Sequence, residues 1–217
     1  MQHLFLTSSI GVPGVGESIR RRLGTDKIYK TAFITTPIEG EADQSDLSWV
    51  REDRDGLNKS GFASFDYTIT GKTHDEIARD LQDIDVLYIS GGDEFYLREQ
   101  CNQSDFDDFV HTFVSQGGLY IGTSAGSIIA GQDMSAIAKL SPHPHLKNPL
   151  NHRGFSLVNY TILPHWGSQD FATGWLSPES FECMYASPAP LIPLSNYQYI
   201  EVIGDDSTIV DIREEYA

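Results

Sequence analysis

Residues 117–131 read GGLYIGTSAGSIIAG, and this stretch predicts the centre of an α/β fold. The apolar run 119–121 suits a short strand, and the small apolar residues after the pentapeptide 122–126, GTSAG, suit a buried helix. A serine with a glycine two residues away on either side, at a strand-to-helix turn, is the G-x-S-x-G nucleophile elbow. The glycines suit a turn too tight for a Cβ. A plain packing turn between strand and helix is the alternative reading.

The elbow would hold the hydroxyl of Ser124 at the strand's C-terminal end, with a helix N-terminus facing any developing negative charge. A neutral hydroxyl is a poor nucleophile at pH 7, so Ser124 needs a base. Of the seven histidines, His165 is the best placed. It follows a predicted strand at 159–163, at the sheet edge where catalytic loops gather. A half-exposed loop histidine without a catalytic role remains the alternative.

An oxyanion hole needs two hydrogen-bond donors close to the nucleophile. The backbone N–H of Ala125, the residue after the serine, is the expected first donor. The second can come from the turn Gly91-Gly92, where the absence of side chains lets the backbone approach a substrate carbonyl. An ordinary turn at the end of a strand explains the two glycines equally well.

Strands alternate with helices along the rest of the chain, which predicts a mostly parallel sheet covered by helices on both faces. Strands are predicted at 3–7, 31–35, 65–70, 85–90 and 119–121, then at 159–163, 191–194, 197–203 and 208–212. Helices are predicted at 17–23, at 45–59 and at 73–81, where Thr73 and Glu76 form a capping box. A further helix is predicted behind a second capping box, formed by Ser104 and Asp107. The last strands predict an antiparallel edge. We expect a single three-layer α/β domain over residues 1–217.

The composition restricts the class of partner. The chain has 217 residues, with 31 acidic and 15 basic side chains and a formal charge of -16. Nucleic acids and anionic membrane surfaces both require a basic patch, so the charge disfavours them as partners. It is compatible with a small molecule or a short peptide and selects neither. The sequence leaves a homodimer open. Two cysteines provide no disulfide framework, and no signal peptide or transmembrane stretch is visible, so we expect a cytoplasmic protein.

No cofactor or metal is expected from the sequence. His143 and His145 form an H-x-H pair within a proline-rich stretch, 139–153, that we interpret as a surface loop. No acidic or cysteine ligand accompanies the pair at a recognisable spacing, which argues against a metal site there.

Three segments together resemble the peptidase E family of aspartyl dipeptidases: YISGGDEF at 88–95, IGTSAGSIIAG at 121–131 and LVNYTILPHW at 157–166. That family consists of serine peptidases with a fold similar to class I glutamine amidotransferases, of flavodoxin-like type. The resemblance implies that Ser124 is the nucleophile and His165 the general base. It further implies that the Gly91-Gly92 turn, with Asp93 beside it, and Ala125 form the oxyanion and substrate-binding groups.

The sequence departs from that family at the third catalytic position. Asn196 stands where many relatives carry an aspartate. An amide still orients an imidazole but stabilises the imidazolium less than a carboxylate does. Glu201, or an acid from elsewhere in the chain, is the alternative third member.

A second departure concerns the substrate. Peptidase E proper binds the substrate's aspartate with an arginine shortly after the catalytic histidine. Here Arg213 is the only arginine or lysine beyond Arg153. Burying a carboxylate without a cation is costly, which argues against an aspartyl preference. The sequence therefore predicts a serine peptidase that hydrolyses short peptides, and the alternative is a weak or inactive member that binds a peptide or small molecule. An amidotransferase is disfavoured because that chemistry uses cysteine at the elbow.

Overall fold

A computed structural model describes residues 1–41, 43–140, 152–169 and 176–215. Within these ranges the strands are β1 (His3–Thr7), β2 (Tyr29–Ile34), β3 (Phe62–Tyr67), β4 (Val86–Ile89), β5 (Leu119–Thr123), β6 (Thr161–Leu163), β7 (Leu191–Pro193), β8 (Gln198–Ile203) and β9 (Asp206–Asp211). The helices are α1 (Val15–Leu23), α2 (Thr36–Glu39), α3 (Ser48–Lys59), α4 (His74–Asp80), α5 (Glu94–Ser104), α6 (Phe106–Ser115), α7 (Ala125–Ile129), α8 (Ser135–Leu140) and α9 (Pro178–Tyr185).

A seven-stranded sheet in the order β3-β2-β4-β5-β1-β8-β9 forms the centre of the described chain. The first five of these strands are parallel, and β8 and β9 continue the sheet in antiparallel pairing. The predicted class, a mostly parallel sheet with helices around it, is confirmed. One difference is that β7 leaves the main sheet and pairs with β6 in a separate two-stranded parallel sheet.

Both faces of the main sheet are buried in its central strands. Successive residues of a strand point to opposite sides, and each side packs into an apolar cluster. On β4, Leu87 and Ile89 belong to one apolar cluster, while Val86 and Tyr88 belong to the cluster on the other face. The same alternation holds on β1 and β5. This double burial explains why the central strands are continuously apolar rather than alternating with polar residues.

Several local predictions were wrong or incomplete. The capping box assigned to Ser104 does not exist, because Ser104 ends α5, a helix that we did not predict. Its hydroxyl donates to the carbonyl of Gln100 at 2.8 Å, and Asp105, at φ 51°, separates α5 from α6. The third strand begins earlier than expected, and helices α8 and α9 were also missed. The predicted loop 139–153 is partly helical at its start, and residues 141–151 lie outside the described ranges.

No helix in the described ranges is long and apolar enough to cross a membrane.

Candidate active site

The elbow at Ser124 has the strained geometry that a nucleophile elbow requires. Ser124 adopts φ 49° and ψ -108°, a backbone conformation that side-chain-bearing residues rarely occupy. A Cβ on Gly126 would lie 2.2 Å from the carbonyl oxygen of Ile89, and one on Gly122 would lie 2.5 Å from that of Gly126. Only glycine fits at both positions. The turn from β5 into α7 is therefore as tight as the sequence predicts.

Strand β1 anchors the elbow from the side. The amide of Ser124 donates to the carbonyl of Thr7 at 3.1 Å. The hydroxyl of Ser127, one turn into α7, lies 2.7 Å from the same carbonyl and 2.9 Å from that of Gly122. These contacts tie the nucleophile turn to the neighbouring strand, which offsets the cost of the strained backbone.

The side chains of Ser124, His165 and Asn196 form a hydrogen-bonded chain. Nε2 of His165 lies 2.9 Å from Oγ of Ser124, and its Nδ1 lies 2.8 Å from Oδ1 of Asn196. Because Oδ1 of an amide only accepts, Nδ1 carries the proton and Nε2 is left to accept from the serine hydroxyl. This tautomer is the one that a general base beside a serine needs.

The small parallel sheet explains how two distant segments meet at this point. Strand β6 leads to His165 and β7 leads to Asn196, and Leu163 pairs with Pro193 in the ladder. The pairing continues past the strands, since the amide of Trp166 donates to the carbonyl of Leu194 at 2.9 Å. Parallel strands end at the same edge, so both loops emerge side by side.

Ser8, in the loop after β1, holds the histidine loop against the main sheet. Its buried hydroxyl donates to the carbonyl of Leu194 at 2.9 Å and accepts the backbone N–H of His165 at 3.2 Å. His165 itself has φ 60°, a left-handed conformation that needs such support. The sequence analysis did not single out Ser8, since a loop serine has no distinguishing pattern.

The turn Gly91-Gly92, which is expected to supply an oxyanion donor, lies next to Ser124. A Cβ on Gly91 would lie 3.4 Å from the Cβ of Ser124, and Gly92 has φ 123° with Pro37 packed against it. Among the described residues, the amides of Ala125 and Gly92 donate to no protein group. Two free donors beside a serine are what an oxyanion hole requires.

Asp93, which we expected to contact substrate, has a structural role in the folded chain. Its carboxylate is buried and accepts the amides of Phe95 and Tyr96, both at 2.9 Å. These contacts cap helix α5.

Glu201, the alternative third member, is engaged elsewhere. One carboxylate oxygen lies 2.8 Å from Nη1 of Arg22 and the other 3.1 Å from Nε2 of His3. Asn196 occupies the position beside His165 instead.

A cavity of about 680 Å³ opens beside Ser124 and is rich in acidic side chains. Its walls include Glu41, Glu52, Asp53 and Glu94. Burial raises the pKa of Asp53 to about 7, although Tyr88 and the amide of Gly11 donate to it. Burial also raises the pKa of Glu94, to about 8.

Sequence reasoning missed these buried acids, although one signal was present. Asp53 lies three residues after Val50 and four before Leu57, so it sits on the apolar face of the predicted helix. A charged residue on an apolar face is unusual enough to mark a candidate site.

Within the described residues, no group of histidine, cysteine and acidic side chains has the arrangement of a metal site. The His143 and His145 pair lies outside the described residues.

Comparison with known proteins identifies relatives along the whole chain. The sequence model of Peptidase family S51 matches residues 5–210. A protein named as an uncharacterized peptidase from Listeria monocytogenes is 26% identical over 208 residues, covering 95% of this chain and 97% of the relative. A peptidase E from Actinobacillus pleuropneumoniae is 32% identical over 148 residues, covering 66% of this chain and 60% of the relative.

A solved structure shares the fold. The crystal structure of a putative peptidase E protein from Listeria monocytogenes superposes with a TM-score of 0.82 at 23% identity, covering 97% of this chain and 98% of that one. At that identity the likeness establishes the fold alone. The match to the family over residues 5–210, on the other hand, establishes descent, and the chain belongs to peptidase family S51.

Proposed function

We propose that this protein is a serine-type peptidase that hydrolyses short peptides through an acyl-enzyme. The observation that carries the proposal is the hydrogen-bonded chain from Ser124 through His165 to Asn196, with contacts of 2.9 and 2.8 Å. Membership of a peptidase family and the name peptidase E borne by relatives support the same reaction class.

In the proposed reaction, His165 takes the hydroxyl proton through Nε2 as Oγ of Ser124 attacks the substrate carbonyl. The amides of Ala125 and Gly92 donate to the oxyanion that forms. His165 then gives the proton to the departing amine, the C–N bond breaks and the acyl-enzyme remains. A water molecule, deprotonated by the same histidine, attacks the ester and releases the acid.

The proposal does not include an aspartyl preference. The arginine that the resemblance would require after His165 is absent, and Arg213 pairs with Asp211 at 2.5 Å. The cavity wall carries carboxylates instead. We keep a cytoplasmic location in the proposal because Cys101 and Cys183 are both free.

A catalytically weak or inactive member that binds a peptide or small molecule is the second candidate. The observation favouring it is the amide at Asn196, which stabilises a charged imidazole less than a carboxylate would.

Labelling with a fluorophosphonate probe separates the two candidates, since such a probe reacts with an activated serine. We expect labelling at Ser124 that disappears in both Ser124→Ala and His165→Ala. Ser127→Ala, three residues after Ser124, is unsuitable as a control because the hydroxyl of Ser127 anchors the elbow. Ser115→Ala serves instead: this exposed serine ends α6, its hydroxyl donates to the carbonyl of Thr112, and the variant should label normally. An unlabelled wild-type protein, or labelling that survives His165→Ala, would exclude the peptidase mechanism.

A further inference from the structure

The most distinctive group in the cavity is the side chain of Glu94. We propose that this cavity receives a positively charged group of the peptide substrate, held against the carboxylate of Glu94. This inference rests on the proposed function. The substrates would then be peptides with an ammonium or guanidinium group near the scissile bond, not acidic ones.

Glu94 is a buried acid that no lysine or arginine pairs with in the described part of the chain. The residue is 9% exposed and lines the cavity that contains Ser124. Among the described residues, no side chain donates to its carboxylate, which accepts from its own backbone amide. Buried carboxylates are normally paired or hydrogen-bonded, because removing the charge from water is costly.

A role in stabilising helix α5 does not explain Glu94. An acid in the first turn of a helix is favourable, but Asp93 already caps α5 through two backbone amides. The carboxylates of Asp93 and Glu41 both disfavour the charged form of Glu94. A cation beside Glu94 would offset that repulsion.

Other side chains of the cavity wall are also acidic. Asp53, which is 2% exposed, reaches the wall from α3, and the exposed Glu52 stands on the same helix. Among the described lining residues there is no lysine or arginine, and His165 is engaged with Ser124 and Asn196. Charge complementarity favours a cationic ligand over a neutral or an acidic one.

Apolar side chains line another part of the wall and suit the carbon stem of such a ligand. They are Val12, Trp49, Ile128, Ile137, Leu140 and Pro164. A cavity of about 680 Å³ accommodates one or two amino-acid residues of a peptide.

Two parts of a peptide can supply the cation: the free α-ammonium group or a basic side chain. Both are recognised by the same chemistry, so the test varies them separately. The probes are lysinamide, norleucinamide, Nα-acetyl-lysinamide and Nα-acetyl-norleucinamide. In that order, the probes carry both cations, the α-ammonium alone, the side-chain ammonium alone, and no cation.

Binding is measured by titration calorimetry on the full-length Ser124→Ala protein at low ionic strength, so that turnover does not enter the result. We expect a probe with at least one cation to bind about tenfold or more tightly than Nα-acetyl-norleucinamide. Whichever singly charged probe binds better identifies the source of the cation. Adding Glu94→Gln should abolish the difference, because the amide has nearly the same shape without the charge.

Glu99→Gln in the same background is the matched control. It removes one carboxylate from the same helix, α5, at an exposed position outside the cavity lining, so solvent screening should limit its effect to less than about twofold. Thermal unfolding of each variant checks that the fold is retained.

Three results would overturn the proposal: equal binding of charged and uncharged probes, a difference that survives Glu94→Gln, or no binding of any probe. None of these results bears on the proposed hydrolysis, which is tested by probe labelling of Ser124. Conversely, absence of labelling would remove the peptidase mechanism while leaving cation binding to be decided by calorimetry.

Discussion

Oδ1 of Asn196 lies 2.8 Å from Nδ1 of His165, so an amide orients the imidazole in the place where related peptidases are expected to carry a carboxylate. The amide holds the ring in the tautomer that leaves Nε2 facing Ser124. In the proposed mechanism it would stabilise the imidazolium less than a carboxylate does. Orientation and charge stabilisation are therefore separable in this site.

Substitutions at Asn196 test that separation. We expect Asn196→Ala to lower kcat/KM by about 10- to 1000-fold, since the ring loses its orienting partner. Asn196→Asp should retain or increase kcat, because the carboxylate also accepts from Nδ1–H. Steady-state kinetics on one short peptide substrate measure both. Equal activity of the parent and Asn196→Ala would show that another group orients His165.

Glu201→Gln distinguishes the alternative third member from Asn196. Its carboxylate contacts Arg22 and His3 rather than His165. We expect kcat/KM within about twofold of the parent, whereas the free energy of unfolding should fall by about 1–3 kcal/mol because a largely buried ion pair is broken. Chemical denaturation measures the second quantity. A large loss of kcat with unchanged stability would instead place Glu201 in the catalytic chain.

Ser8→Ala tests whether the loop after β1 positions the histidine. The variant loses the contacts to the amide of His165 and the carbonyl of Leu194. We expect kcat to fall about tenfold with KM little changed, together with a loss of about 1–2 kcal/mol in stability.

Ser18→Ala is the control for that experiment. Ser18 is equally buried, and its hydroxyl lies 2.7 Å from that of Tyr199, away from the catalytic residues. It should lose similar stability and keep its kcat. If both variants lose activity equally, the effect of Ser8 is on stability alone.

The pH dependence of stability reports the burial of Glu94. Its pKa is about 8 in the folded protein against an ordinary value of 4.5, so the folded state binds more protons than the unfolded state between those values. The free energy of unfolding therefore falls as the pH rises through this window. In Glu94→Gln this loss of stability with rising pH should disappear, because the amide does not ionise.

We expect Glu94→Gln to lie within about 1 kcal/mol of the parent near pH 5 and to exceed it by about 4 kcal/mol near pH 8. Denaturant titrations of both proteins at the two pH values measure the difference. Asp53, whose pKa is raised to about 7, titrates in both proteins and cancels in the comparison. Stability curves that stay parallel from pH 5 to pH 8 would show that Glu94 is ionised throughout.

The sequence predicted local structure correctly where the backbone accepts almost only one type of residue. The glycines around Ser124 predicted the elbow, and the backbone clashes that a Cβ would make at Gly122 and Gly126 show why. The capping box at Thr73 and Glu76 was also predicted and is present. The box at Ser104 failed, because the same spacing lies where α5 ends and α6 begins, and that junction depends on Asp105 adopting a left-handed conformation.

The sequence by itself determined the alternation of strands and helices, the elbow and the candidate base, since these depend on periodicity and on neighbouring residues. Only the tertiary structure decided which partner His165 has. Asn196 and Glu201 are five residues apart, and the choice between them follows from the pairing of β6 with β7, a contact between distant segments. The acidic cavity is likewise a tertiary property, because Asp53 and Glu94 reach it from separate helices. Burial, which shifts their pKa values, exists only once those helices have packed.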